Sequence, residues 1–232
     1  MDKKYVIVKR YLMEIVENFP PNTKIPSERD LINQMGVSRA TIQKAISDLE
    51  AEGYLYRIHR KGTFTSEHRL KMLLNQLVGF SQQVKASGGT PKTELVEHVV
   101  LFANEYLSSK MRVDIGTCIH FVLRVRYKND IPVTVDYSYF ADFAVSGINL
   151  KDFKTSVYKY IESVNGLELS RGELLIDAEL PEPEVANFLN LSENNPVIKI
   201  EYLTRLTDGR IFEYTISYIN PKQHELYVKA FK

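Results

Sequence analysis

The stretch from Ile25 to Thr65, I-P-S-E-R-D-L-I-N-Q-M-G-V-S-R-A-T-I-Q-K-A-I-S-D-L-E-A-E-G-Y-L-Y-R-I-H-R-K-G-T-F-T, constrains the fold of this chain more than any other. It reads as two capped helices, a tight turn between them, and a two-stranded ribbon with a basic tip. Ser27 stands at an N-cap, and Asp30 three residues on completes a capping box. Leu31, Ile32 and Met35 form the apolar side of the first helix, and Gly36 stops it. Ser38 caps the second helix, which the pattern carries to Gly53. At 100° per residue, Ile42, Ala45, Ile46 and Leu49 share one face. Arg39, Ala40, Gln43, Lys44 and Ser47 occupy the opposite arc.

A helix that buries one side and offers Arg, Gln and Lys from its N-terminal half suits the DNA major groove. There Arg grips guanine bidentately and Gln reads adenine. A lone helix of this kind is more often an ordinary solvated amphipath. The turn, the preceding helix and the basic ribbon with His59 and Arg60 reverse that preference. Upstream, Tyr5, Val8, Leu12, Ile15, Val16 and Phe19 recur at helical spacing over residues 5–19, until Pro20-Pro21 stops the run. Three helices plus strands over Tyr54–His59 and Gly62–Ser66 make a complete small domain, residues 1–66.

The runs P-S-E-R-D-L, G-V-S-R-A-T-I, A-E-G-Y-L-Y and R-K-G-T-F-T resemble the winged helix-turn-helix of GntR-family transcription regulators. The resemblance implies that Arg29 contacts a backbone phosphate and that Arg39 reaches a base edge. It also implies that Ser38 and Thr41 hold phosphates, and that the wing tip at Lys61 and Gly62 enters the minor groove. Gln43 stands where many relatives carry Arg, and Arg60 where Gly is usual.

Composition bounds the rest. Through Ser66 there are 11 Lys and Arg against 8 Asp and Glu, a net of +3, whereas the remainder carries −2 of the chain's total of +1. That modest local excess predicts salt-sensitive DNA binding helped by dimerisation. No apolar run approaches the ~18 residues of a membrane span. The start, M-D-K-K-Y, lacks a signal peptide's apolar core, so a cytoplasmic location is expected. The single cysteine, Cys118, excludes an intramolecular disulfide and reads as a buried thiol.

Residues 67–75, with His68, read as a short structured connection. From residue 76 onward strands alternate with helices. Leu77–Ala86 begins as a turn and becomes helical before Gly88-Gly89. Thr93–Leu101 is a strand and Asn104–Met111 a helix. Cys118–Tyr127 and Pro132–Phe140 form a hairpin. Ser156–Val164 is a helix, Glu173–Glu179 a strand, and Pro183–Leu191 a helix opening on proline. Pro196–Thr207 and Arg210–Tyr218 form a hairpin about Asp208-Gly209, and Glu225–Phe231 a last strand. Consecutive hairpins with interspersed helices indicate an antiparallel sheet in an α+β domain, residues 76–232.

Strand alternation places His120, Val122, Arg124, Arg126 and Lys128 on one face, and Thr134, Asp136 and Ser138 together on the next strand. Two arginines two residues apart in an apolar strand are costly to bury unless something anionic pairs with them. An internal ion pair to Asp136 and a bound anionic ligand satisfy that demand equally. L-V-G-F-S-Q, V-L-R-V-R-Y-K-N-D-I-P-V-T-V-D-Y-S-Y-F, T-S-V-Y-K-Y-I and F-E-Y-T-I-S-Y resemble the effector-binding UTRA domain of the HutC subfamily, of chorismate-lyase-like fold. The resemblance implies that Gly79, Phe80 and Ser81 cradle an anionic end of an effector, with Arg124 and Arg126 supplying charge. Asp136, Ser156 and Glu213 would complete the lining. Asp136 stands where Glu is common, and S-Y-I-N-P-K-Q-H departs from the family's basic and aromatic run.

No Ser-His-Asp grouping, metal-spaced His/Cys cluster or phosphate-loop consensus stands out, and His98, His120 and His224 read as satisfied structural histidines. The expectation is a homodimeric regulator, most simply a repressor, without cofactor. It would bind double-stranded operator DNA and a small anionic effector, either a sugar phosphate or a carboxylate metabolite, without engaging a membrane. The alternatives are an enzyme of chorismate-lyase-like fold and a DNA-binding protein independent of any ligand.

Overall fold

The computed structural model describes residues 3–51, 54–66, 70–74 and 78–228. The expected helix stop at Gly53, the linker histidine His68 and the turn start at Leu77 lie outside them. The chain divides into two compact units, Met1–Arg69 and Leu70–Lys232.

In the first unit, α1 (Lys3–Asn18), α2 (Glu28–Met35) and α3 (Arg39–Ala51) pack around Tyr5, Val8, Leu12, Leu31, Ile42, Ile46 and Leu49. The capping box forms as the sequence predicts, with Ser27 and Asp30 bonding each other's backbone amides. Gly36 ends α2 at φ +61°, and its N–H donates to the Ile32 carbonyl. Ser38 Oγ accepts from the Thr41 amide at 3.2 Å and starts α3. Phe19, expected on the buried face of the first helix, is 54% exposed. The residue before a proline is steered out of helical geometry, so α1 ends at Asn18 and Phe19 turns outward.

β1 (Leu55–Ile58) and β2 (Gly62–Thr65) pair antiparallel, with Tyr56 opposite Phe64. At the tip of this ribbon Arg60 is held at φ +63°. The glycine-favouring conformation is thus kept by an arginine. Gly62 (φ +123°) holds a backbone conformation that L side chains rarely adopt, which is what calls for glycine there.

The second unit comprises, in order, β3 (Leu70–Leu73), α4 (Phe80–Ala86), β4 (Pro91–Phe102), α5 (Glu105–Met111), β5 (Cys118–Lys128) and β6 (Ile131–Ala141). There follow α6 (Asp142–Val145), α7 (Leu150–Phe153), α8 (Val157–Ser163), β7 (Leu169–Glu179), α9 (Pro183–Phe188), β8 (Val197–Leu206), β9 (Ile211–Ile219) and β10 (His224–Tyr227). Six strands form one antiparallel sheet in the order β4-β5-β6-β9-β8-β7. Val122 and Phe140 on one face pack against Phe153, Val157 and Ile161 of α7 and α8. Leu123, Val125 and Val135, which alternate with them, pack against Val185 and Leu189 of α9 and its end. Leu107 and Met111 of α5 cover Ile119, Ala141 and Tyr214.

Within the structured connection expected over 67–75, Leu70–Leu73 is a strand paired in parallel with β10. A last strand forms as expected, as His224–Tyr227, but outside the large sheet; residues 229–231 of the expected Glu225–Phe231 lie outside the described residues. β9 already has β6 and β8 as neighbours, so the chain leaving it finds no open edge beside it and pairs elsewhere. The short helices α6 and α7 were not expected; four residues are too few to show a helical period. β7 also begins earlier than Glu173, because an irregularity between Leu169 and Gly172 hides its alternation.

Candidate functional site

On the first unit, the buried stripe Ile42, Ala45, Ile46 and Leu49 turns the other arc of α3 outward. Arg39, Ala40, Gln43 and Lys44 are exposed there, with Ser38 at its start, and Thr41 is half-buried. Arg29 is exposed on α2, as are His59, Arg60 and Lys61 at the ribbon tip, with Gly62 half-buried beside them. One residue that sequence reasoning passed over organises this face. Glu28 accepts from Gln43 Nε2 at 2.9 Å and lies 3.6 Å from Arg39 Nε and 3.5 Å from Arg57 Nη2. A single carboxylate thus gathers two α3 side chains and one from β1. Lys44 lies over the Tyr5 ring at 5.5 Å.

On the second unit, the strand register builds a polar patch across four strands. Arg124 pairs across from Asp136, Asp136 from Ser217, Ser138 from Thr215, and Thr204 from Glu213. Alternation then points these side chains to the same face. They form one wall of a cavity of about 940 Å³, which α4 and α8 help to line. Gly79, Phe80, Ser81, Arg124, Arg126, Asp136, Ser156 and Glu213 all line it. Five basic side chains (Lys85, Arg124, Arg126, Lys159, Arg171) face three acidic ones (Asp136, Glu162, Glu213) around it, so an anion entering it meets a net positive lining.

The internal ion pair is formed, and it sits on the cavity wall. Arg126 Nε donates to Asp136, and Ser217 Oγ donates to the other Asp136 oxygen at 2.6 Å. Burial pushes the Asp136 carboxyl up, but Arg126, Arg124 and the Ser217 hydroxyl outweigh it and hold the acid below its ordinary range. Arg124 is placed differently. Its Nη2 donates to Ser138 Oγ at 2.9 Å, Asp136 is 3.9 Å away, and its Nε is buried with no hydrogen-bond partner. Burial, then the charge of Arg126, pulls its pKa from 12.5 down to about 10, against the partial help of Asp136, Glu213 and Tyr158. This is a buried cation with an unspent donor.

Phe80 stacks on the Arg126 guanidinium at 5.1 Å, and Phe140 on that of Arg124 at 5.6 Å. Gly79 is the N-cap of α4 with no side-chain cap bond, and a Cβ there would stand 3.7 Å from Ser156 Oγ. Ser156 itself caps α8 by accepting from the Lys159 amide. Glu213 receives hydrogen bonds from Tyr158 (2.6 Å), Thr204 (2.9 Å) and Thr215 (2.9 Å). Those three residues, with Ser217, were missed by sequence reasoning. The period-two run Glu213, Thr215, Ser217 carried the same signal as Thr134, Asp136, Ser138.

Of the histidines expected to be satisfied in the structure, two are: His98 Nε2 lies 3.1 Å from His120 Nδ1, and His120 Nε2 lies 2.9 Å from Asp142 Oδ1. His224 departs from that expectation, for it is buried with Nδ1 lacking a partner, and burial pulls it down to about 4. Cys118, expected to be buried, is half-buried.

No helix among the described residues is long and apolar enough to cross a membrane. Residues 6–65 match the family model described as bacterial regulatory proteins, gntR family, and residues 86–225 match the UTRA domain. The chain is 32% identical to the transcriptional repressor NagR of Bacillus subtilis over 85% of its length and 81% of that protein's. It is 28% identical to the histidine utilization repressor of Pseudomonas putida, over 86% and 81% of the two chains. The crystal structure of PhnF from Mycobacterium smegmatis superposes with a TM-score of 0.70 at 22% identity, covering 97% of this chain and 99% of that one. A three-helix unit with a basic ribbon, followed by a six-stranded antiparallel sheet unit, thus agrees with both family models: the chain belongs to the GntR family, in its HutC branch, as a DNA-binding transcriptional repressor with a UTRA domain and not an enzyme.

Proposed function

We propose that the cavity of the second unit holds a small anionic effector, a sugar phosphate before a simple carboxylate, and that its binding releases the repressor from a two-fold operator. The observation that carries this reading is Arg124: a fully buried guanidinium, facing a cavity, with an unsatisfied Nε. Such a group is costly in an empty pocket and well suited to an oxyanion. Arg126 adds charge beside it, and the hydroxyls and carboxylates of β6, β8 and β9 match the hydroxyl groups of a sugar.

On the first unit, Arg39 and Gln43 read base edges. Arg29, Ser38 and Thr41 hold phosphates, and His59, Arg60, Lys61 and Gly62 carry the ribbon to the minor groove. Glu28 orients Arg39 and Gln43 before DNA arrives. One such helix reads few base pairs, so a homodimer on a palindromic site multiplies specificity. The exposed Val99, Val100 and Phe102 on β4 supply apolar surface for a second copy. The effector acts by binding more tightly to an arrangement whose paired α3 helices no longer match the half-site spacing.

The test is a thermal-shift panel of phosphorylated sugars, their unphosphorylated parents and small carboxylates. Stabilisation by phosphorylated members alone supports the reading; stabilisation by neutral sugars alone refutes the anionic class. Sedimentation at micromolar concentration should give a dimer, and a monomer that still binds a palindrome tightly removes the symmetric arrangement.

A further inference from the structure

At the start of β5, away from the effector cavity, Cys118 and His120 stand two residues apart and so share a face of the strand. Asp142, the first residue of α6, stands against them. One ligand atom of each of the three lies within 4.8 Å of those of the other two. Around a tetrahedral ion with bonds of ~2.0–2.3 Å, ligand atoms sit ~3.3–3.8 Å apart, so side-chain rotation that brings the thiol in by up to about 1 Å, and opens the His120–Asp142 pair by about 0.4 Å, closes the set. We propose that Cys118, His120 and Asp142 bind a zinc-class divalent cation, with His98 fixing the ligand tautomer of His120.

Three observations carry this. Thiolate, imidazole and carboxylate together form a donor set that suits Zn2+ and not Mg2+ or Ca2+, which take oxygen ligands. His120 Nε2 is 2.9 Å from Asp142 Oδ1, and His120 Nδ1 is 3.1 Å from His98 Nε2. With a cation at Nε2, Nδ1 carries the proton and donates to His98, the arrangement that orients a ligating imidazole from outside the metal's own ligands. The Phe153 ring then closes the site on its apolar side, 5.0 Å from the His98 ring and 6.4 Å from that of His120. Asp142 is half open, with 49% of its side chain accessible, which leaves the fourth position to water. The cation ties the start of β5 to the turn where β6 passes into α6. It binds with displacement of the thiol proton of Cys118.

Co2+ is the probe, titrated into the full-length metal-free protein in a non-thiol reductant. Cys118 is the chain's one cysteine, so any thiolate-to-cobalt charge-transfer band in the near ultraviolet is assigned without ambiguity. One equivalent should produce that band together with ligand-field bands in the visible, and Zn2+ should displace both. Cys118→Ser should lose the charge-transfer band, and His120→Asn should weaken binding at least about 100-fold. His98→Gln should keep the band but weaken binding roughly tenfold, the usual range for a partner behind the ligands. Circular dichroism checks the fold of each variant, and the wild-type spectrum needs no variant at all. A near-ultraviolet spectrum unchanged at saturating Co2+ overturns the proposal. So does a thiolate band whose affinity is the same in folded His120→Asn and Asp142→Asn, since that is a lone thiol and not a site.

Discussion

Replacing Arg124 by Met separates a residue kept for a ligand from one kept for the fold. Burial, with Arg126 beside it, pulls the Arg124 guanidinium from 12.5 to about 10. At ~1.4 kcal/mol per tenfold change in proton affinity, that corresponds to about 3 kcal/mol set against the charged form. Met fills a similar volume without a charge. The lost bond to Ser138 and the weaker hold on Asp136 take back about 1–2 kcal/mol. Asp136 keeps Arg126 and Ser217, so no carboxylate is stranded. The net expectation is a variant more stable by about 1–2 kcal/mol, or roughly 2–8 °C in melting temperature for a chain of this size. The same variant should lose its thermal response to phosphorylated sugars. Urea unfolding followed by circular dichroism gives the first quantity and the thermal-shift panel the second. A variant destabilised by about 3 kcal/mol or more that still responds to the effector would show that Arg124 holds the sheet together and does not wait for an anion.

Four further outcomes are expected. Arg39→Ala should cost about 1–3 kcal/mol on a selected operator and relax preference at one base position, measured by competition among single-base variants. Glu28→Gln should free Arg39 and Gln43; at ~0.2–1 kcal/mol for each exposed contact, discrimination between selected and random duplex falls roughly 2- to 30-fold while random-duplex binding holds or tightens. Arg60→Gly should relieve the left-handed backbone at the ribbon tip and stabilise the first unit by about 1 kcal/mol, while lowering the salt dependence of DNA binding by about one phosphate contact. His224 gives a pH signature. Its folded pKa of about 4 lies below the ordinary 6.5, so between those values the unfolded chain takes up a proton that the folded one refuses. Stability therefore falls as pH drops through that window, by roughly 2 kcal/mol at pH 5 relative to pH 8. His224→Gln should flatten the slope, leaving a remainder from His98, which burial and His120 also pull down.

The exposed side of α3 was legible because a helix writes its buried face at a fixed angle, and Ile42, Ala45, Ile46 and Leu49 keep that angle without exception. Ser27, Asp30 and Gly36 were legible because a cap is a local bond. Glu28 was not: its partners Arg39, Gln43 and Arg57 come from two other elements, and only the packing of α2 against α3 brings them to one carboxylate. The same distinction runs through the cavity. Alternation along β5 and β6 placed Arg124, Arg126 and Asp136 together. The hairpin about Asp208-Gly209 brings Thr204 to Glu213, but the insertion of β9 between β6 and β8 decides that Ser217 meets Asp136, and nothing local encodes that. The parallel pairing of Leu70–Leu73 with His224–Tyr227 was invisible for the same reason, since it joins opposite ends of the second unit.

The most direct test is operator release. Fluorescence anisotropy with a duplex selected from a random library gives the affinity of the wild type and of Arg124→Met, each with and without the anion that best stabilises the wild type. The expected result is operator binding that is equal in the two proteins, with the anion weakening only the wild type, by roughly 5- to 150-fold. An anion that weakens both proteins equally, or that binds the wild type without changing its hold on the operator, would contradict the assignment of the cavity as the repressor's input.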